Sequence, residues 1–290
     1  TGQCVRTSVL TRVNAYPRAT VFTFVDLGPR LIVTTHHDAI AGPYHRNGDA
    51  ILDVQHAFQG SEAQARSWES PFNYAENSLL YVPRDMPEPN TPTYTEAVVN
   101  AALPAIKSSA GRAFMLFTSL RAMREGYDRL KEAFTRSGLD YPLLMQGEGS
   151  RTDLLERFRR LGNAVLVGSQ SFWEGVDVRG EALSLVVIDK LPFAAPDDPL
   201  LAARIEKINR DGGNAFVEYQ LPQAVITLKQ GAGRLIRSES DQGLLVICDS
   251  RMVRMGYGRR MRNALPPMGW VQSEQEAKAW LEDLAQSHVA

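Results

Sequence analysis

Four runs of continuous apolar residues limit what this chain can fold into: Ala113–Phe117 (AFMLF), Ala164–Gly168 (AVLVG), Leu183–Ile188 (LSLVVI) and Leu244–Cys248 (LLVIC). A strand with one wet face alternates apolar and polar residues. These runs do not alternate, so both of their faces must be covered. Stretches with helical spacing lie between them. Leu120–Ser137 brings Leu120, Met123, Tyr127, Leu130 and Phe134 onto one side, and helices are also expected over Arg151–Leu161 and about Gln220–Ile236. Buried strands alternating with helices predict an α/β fold, a parallel sheet with helices on both faces. A short strand is expected at Leu143–Met145, and Ser273 with Glu276 forms a capping box that opens a last helix through about Leu284. The earlier part reads differently. Residues 20–35 suit two short strands around a Gly28–Pro29 turn, a short helix is expected near 61–68, and four prolines between Pro83 and Pro92 suit an irregular connection.

Charge says little about partners. Thirty-two Lys and Arg against 33 Asp and Glu leave a net charge of −1, so any contact with nucleic acid must come from local patches. Cys4 and Cys248 are two thiols, too few for a four-thiolate cluster or a zinc knuckle. Such sparing use suits a reducing, cytoplasmic location. No run approaches the ~18 apolar residues of a membrane span, and the N-terminus lacks a signal-peptide layout.

Ligands of open α/β sheets bind beyond the carboxyl ends of the strands, and four segments are expected there. Thr118–Ser119 follows AFMLF; its hydroxyls and amides suit a DNA phosphate, although a strand followed by Thr-Ser is more often a helix cap. Gly168–Val178 (GSQSFWEGVDV) carries Glu174, Gly175 and Asp177, where the glycine permits a tight bend. Its carboxylates can accept from ribose hydroxyls or arginines, or serve a capped loop. Asp189–Phe193 (DKLPF) offers Lys190, and a Phe193 that either joins the core or stacks on a base. Gln230–Arg237 (QGAGRLIR) would place Arg234 and Arg237 on one helical face with Gln230 a turn before them. Two such arginines can neutralise a transferring phosphoryl group, or form a solvated face; the two glycines weaken the helix and favour the first reading.

In order, LFTS, SFWEGVDV, DKLPF and QGAGRLIR, followed by Asp249-Ser250-Arg251, resemble the second RecA-like motor domain of the DinG/YoaA helicases, superfamily 2 relatives of XPD. SFWEGVDV looks like helicase motif V and QGAGRLIR like motif VI, and the resemblance runs from about Ser70 to about Pro267. It implies a RecA-like fold and coupling of ATP hydrolysis to movement on single-stranded DNA in repair. By it, Arg234 and Arg237 are arginine fingers and Gln230 faces the nucleotide. Glu174, Gly175 and Asp177 link the nucleotide to domain movement, while Thr118, Ser119 and Lys190 line the DNA track.

The departures matter as much. No G-x-x-x-x-G-K-[ST] loop and no Asp-Glu-Ala-His box occur, so ATP and Mg²⁺ would be shared with a first motor half that this chain lacks. The family's iron–sulfur cysteines belong to that half too. Residues 1–67 do not match the helicase, which gives expected domains of 1–67, a possible fusion, and 68–290, the motor domain. VFTFVDLGPRLIVTTHHDAIAGPYHRN instead resembles the tail of some bacterial multi-span membrane proteins. His36, His37, Asp38 and His45 include metal-ligand types, but adjacent residues on a strand point to opposite faces, so no metal site is expected. A nucleic-acid or partner-binding module without catalysis is the alternative function. The chain alone should show no DNA-stimulated ATPase in a phosphate-release assay, and robust turnover that Arg237→Ala abolishes would overturn this expectation.

Overall fold

The computed structural model describes residues 20–24, 38–42, 72–173, 182–194 and 198–287. The chain divides into two units, Thr1–Ser70 and Pro71–Ala290. In the first, β1 (Thr20–Phe24) pairs in parallel with β2 (Asp38–Gly42) as a sheet of two strands. The partner of β1 therefore starts at Asp38 and runs alongside it, so the pair is no hairpin. The expected strand at 31–35, the helix near 61–68 and His36, His37 and His45 lie outside the described residues.

The second unit is a sheet of seven strands: β3 (Ser78–Tyr81), β4 (Ala113–Phe117), β5 (Leu143–Met145), β6 (Val165–Ser169), β7 (Leu185–Ile188), β8 (Gly243–Ile247) and β9 (Gly269–Val271). Their order is β5-β6-β4-β7-β8-β3-β9, and every pairing is parallel. This is the RecA-like layout expected, with strand bounds shifted by a residue or two. The short strand β3, at the edge of the proline-rich connection, and β9 were not foreseen.

Alternate residues of each strand enter opposite layers. Phe114, Leu116, Leu166, Val186, Ile188 and Leu245 face one core, closed by the helices α4 (Arg151–Leu161), α7 (Leu221–Ala232) and α9 (Gly256–Ala264). Met115, Phe117, Val165, Val187, Leu244 and Val246 face the other, under α2 (Tyr94–Ser108), α3 (Leu120–Ser137) and α10 (Glu274–Ser287). Four shorter or exposed helices, α1 (Tyr74–Asn77), α5 (Gln170–Trp173), α6 (Pro199–Arg210) and α8 (Arg251–Arg254), and a π-helical turn at Phe216–Gln220 that leads into α7 complete the described helices of the second unit. No helix among the described residues is long and apolar enough to cross a membrane.

Helix boundaries follow local chemistry. Ser119 caps α3 by accepting from the Ala122 amide at 3.2 Å, and Gly138 ends it in the left-handed conformation at φ 63°. Ser150 caps α4 in the same way at 3.1 Å. Ser273 receives the Glu276 amide at 3.3 Å at the start of α10.

Within α3, Gly126 faces the ring of Phe117, and a Cβ there would overlap that ring. The helix thus approaches β4 as closely as its backbone allows. Alanine normally gains about 1 kcal/mol over glycine inside a helix, but overpacking a filled core costs about 1–3 kcal/mol. Gly126→Ala should therefore lower the unfolding free energy in urea titrations, and adding Phe117→Leu should recover part of the loss. A more stable Gly126→Ala would show that the helix can move away freely.

Candidate functional site

Parallel strands all end on one rim of the sheet, and three of these ends are laced together by buried polar groups. Asp189 follows β7 and is 2% exposed. Its Oδ1 accepts the amides of Thr118 at 3.0 Å and Lys190 at 2.7 Å, and its Oδ2 accepts the Thr118 hydroxyl at 3.2 Å. Asp249 follows β8 and is fully buried. It accepts the Leu191 amide at 2.9 Å and a forked bond from Arg251, whose Nη2 lies 2.7 Å from Oδ2. The Tyr94 hydroxyl, from α2, reaches the carbonyls of both Asp189 and Cys248. Burial pushes the Asp189 carboxyl up to about 7, against the opposing effect of the Lys190 and Thr118 donors. Burial likewise raises Tyr94, with the charge of Asp249 adding to it, and Cys248. Tyr94 and Cys248 therefore hold their protons at neutral pH, whereas Asp189 titrates close to it.

This rim carries Thr118, Ser119 and Lys190, as their positions after strands required. The hydroxyl of Ser119 serves the α3 cap and that of Thr118 serves Asp189, while the Lys190 side chain is half-buried. Phe193 joins an aromatic group: its ring lies 5.7 Å from Phe216 and 5.8 Å from Tyr257, with the Arg251 guanidinium over it at 5.6 Å. That surrounds the ring and favours its packing role over base stacking. Glu174, Gly175 and Asp177 lie outside the described residues. The strand before them, β6, ends on the same rim, where Gln146 accepts the amide and hydroxyl of Ser169 at 2.7 and 2.9 Å.

Gln230, Arg234 and Arg237 are elsewhere. Their segment precedes β8, so it lies at the amino rim, and the expectation that all four segments share the carboxyl rim is corrected. The expected helix through Ile236 is corrected as well: α7 stops at Ala232, and Gly233 and the i→i+3 bonds from Arg234 and Leu235 tighten its end. Gln230 is exposed near the end of α7, Arg234 is 7% exposed beyond it, and Arg237 is half-buried on the loop that follows. The arginines are therefore not aligned by helical spacing. Leu235 packs over Gly243, where a Cβ would overlap both Leu235 and the Ser184 carbonyl. Asp241 closes the loop, accepting the amides of Arg237 at 2.7 Å and Ser238 at 2.8 Å. β8 has five residues, and at about 3.3 Å each they put the two rims on the order of 15 Å apart.

Sequence reasoning missed Tyr94, Gln146 and Asp241. A Ser-Glu-Ser-Asp run just before an apolar strand was a usable turn signal for Asp241. Tyr94 and Gln146 act across the sheet and leave no local pattern. Among the described residues, no group of three or more His, Cys, Asp or Glu could hold a metal ion.

The model of the family described as helicase C-terminal domain matches residues 102–268. The chain is 50% identical over 206 residues to the ATP-dependent DNA helicase YoaA of Escherichia coli, covering 71% of this chain and 32% of that protein. It is 37% identical over 219 residues to the ATP-dependent helicase DinG of Mycobacterium tuberculosis, covering 75% and 32%. It thus spans about a third of the length of these relatives. A solved XPD helicase superposes with a TM-score of 0.51 at 20% identity, over 67% of this chain and 36% of that one, a likeness of fold.

Asp189→Asn tests the carboxyl rim. Both amides fall on Oδ1, so an asparagine carbonyl can accept them while its NH₂ donates to the Thr118 hydroxyl. A carboxyl with a raised folded value stabilises the fold while protonated, and that stability is lost as pH rises from its ordinary 3.8 to about 7. Thermal melts should show the wild type losing stability across this window and levelling off above it, relative to Asp189→Asn. Identical pH profiles would remove Asp189 as the titrating group.

Proposed function

The chain belongs to the helicase C-terminal domain family, and from that premise we propose that it is the second motor domain of an ATP-driven DNA helicase. On this reading the two rims have separate tasks. The amino rim presents Arg234 and Arg237 to the phosphates of a nucleotide held by an ATP-binding half, with Gln230 beside them. The carboxyl rim, with Thr118, Ser119 and Lys190, faces single-stranded DNA. Glu174, Gly175 and Asp177, in the segment that resembles helicase motif V, would link the nucleotide to domain movement. The single observation that carries the proposal is the pair of arginines on one clamped loop, away from the rim where the other motifs end.

The residues present suit the acidic end of ATP, since two guanidiniums can match phosphoryl oxygens in a planar fork. The phosphate cradle and the Mg²⁺ ligands belong, in this proposal, to the ATP-binding half. ATP supplies the free energy; this chain's part is to hold positive charge where the transferring phosphoryl group develops negative charge. Contact with DNA has further support in α9. Of the five arginines between Arg251 and Arg262, Arg251 pairs with Asp249, Arg254 with Glu88, and Arg262 with the Met252 carbonyl. Arg259 and Arg260 are exposed. We further propose that residues 1–67 are separable from this activity.

In a complete motor, in which this chain is joined to an ATP-binding half, Arg237→Ala should slow ATP hydrolysis by about 10³-fold or more. Single-strand affinity should stay nearly unchanged because the DNA rim is remote. Arg234→Ala should act alike, with a melt recorded beside it because Arg234 is buried. Hydrolysis at the wild-type rate by a folded Arg237→Ala would sink the proposal.

A further inference from the structure

We infer that Asp241 is the positioning residue for Arg237: its carboxylate fixes the backbone from which that arginine reaches the nucleotide. The inference rests on the proposed role of Arg237 and adds a residue that acts through it. Asp241 is 5% exposed and sits between α7 and β8. One oxygen accepts two consecutive amides, Arg237 at 2.7 Å and Ser238 at 2.8 Å. The other accepts the Ser238 hydroxyl at 2.7 Å, and the Asp241 amide returns a bond to the Ser238 carbonyl at 3.3 Å. The ring so closed begins at the Arg237 amide itself.

The loop is anchored on its outer side as well. Asn77 donates to the Glu239 carbonyl at 3.0 Å and accepts from Gln242 at 3.2 Å, tying the loop to the start of β3. Before it, Leu235 and Ile236 are both buried. The Arg237 backbone thus has a buried apolar residue on one side and a carboxylate clamp on the other. A charge that stabilises a transition state must be in place before the reaction, because reorganising it during the step forfeits the gain. Two arginines on a loose loop would have to be ordered at each turnover. With Asp241 in place, the backbone that carries Arg237 is ordered beforehand.

A plain structural turn would also use such an aspartate, and the two roles separate in kinetics. In the complete motor, Asp241→Ala should lower kcat by between about tenfold and a hundredfold, the scale of a displacement near 1 Å, with KM for ATP and single-strand affinity little changed. In the chain as it stands, hydrogen exchange of the Arg237 and Ser238 amides should quicken while the amides of β8 stay protected. Asp241→Asn can keep both amide bonds on its carbonyl and donate to the Ser238 hydroxyl, so it should restore most of the turnover. If Arg237→Ala itself leaves hydrolysis unchanged, the functional reading fails and takes the inference with it. If Arg237→Ala is slow but Asp241→Ala turns over like wild type, the reading stands and the positioning role is wrong. Should Asp241→Ala not fold, Asp241→Asn decides alone: turnover near wild type supports the clamp, and a loss as deep as that of Arg237→Ala overturns it.

Discussion

The carboxyl groups of Asp189 and Asp249 hold the carboxyl rim of the second unit together, because each accepts main-chain amides from the loops that leave the sheet there. Asp189 collects the loop after β4 and the start of its own loop. Asp249 collects Leu191 from the neighbouring loop and the guanidinium of Arg251. A buried amide without an acceptor costs ~1–3 kcal/mol, so removing either carboxylate would release several segments at once. Tyr94 adds a third tie by touching the carbonyls that end β7 and β8. The aromatic group around Phe193 then rests on a rim that is already fixed.

Parallel pairing imposes the other arrangement. Each strand must return through a crossover, so every connection has one part at the rim where strands finish and another at the rim where they begin. The segment with Arg234 and Arg237 comes just before β8, and Asp249 comes just after it. The arginine pair proposed to face the nucleotide and the buried Asp249 thereby lie at opposite rims of one short strand. The proposed division of labour follows from chain direction alone.

Much of this was legible in the residues. The unbroken apolar runs marked the buried strands because a strand covered on both faces cannot alternate, and β4, α3, β5 and α4 have the bounds that their spacing predicts. The motif order pointed to the family that the comparisons show. Burial hid the rest. QGAGRLIR read as a helix because its charges are three apart, yet Gly233 and the Asp241 clamp divert the chain first. Periodicity has no means of registering an acceptor four residues ahead. β3 escaped because SLLY is short and stands beside a proline-rich stretch, and its place between β8 and β9 is set by pairing partners far along the chain. Ser119 and Phe193 each had two readings at the outset, and their resolution needed neighbours from other segments.

The contact between Gly126 and Phe117 also bears on how such a domain can diverge. The helix and the strand meet with no atom to spare, so neither position is free to change alone. A larger residue at 126 is admissible only after the ring at 117 has shrunk, and a smaller residue at 117 leaves a hole until 126 grows. Among related chains these two sites should therefore drift as a correlated pair, moving between a glycine–aromatic state and an alanine–aliphatic state and passing rarely through the mixed ones.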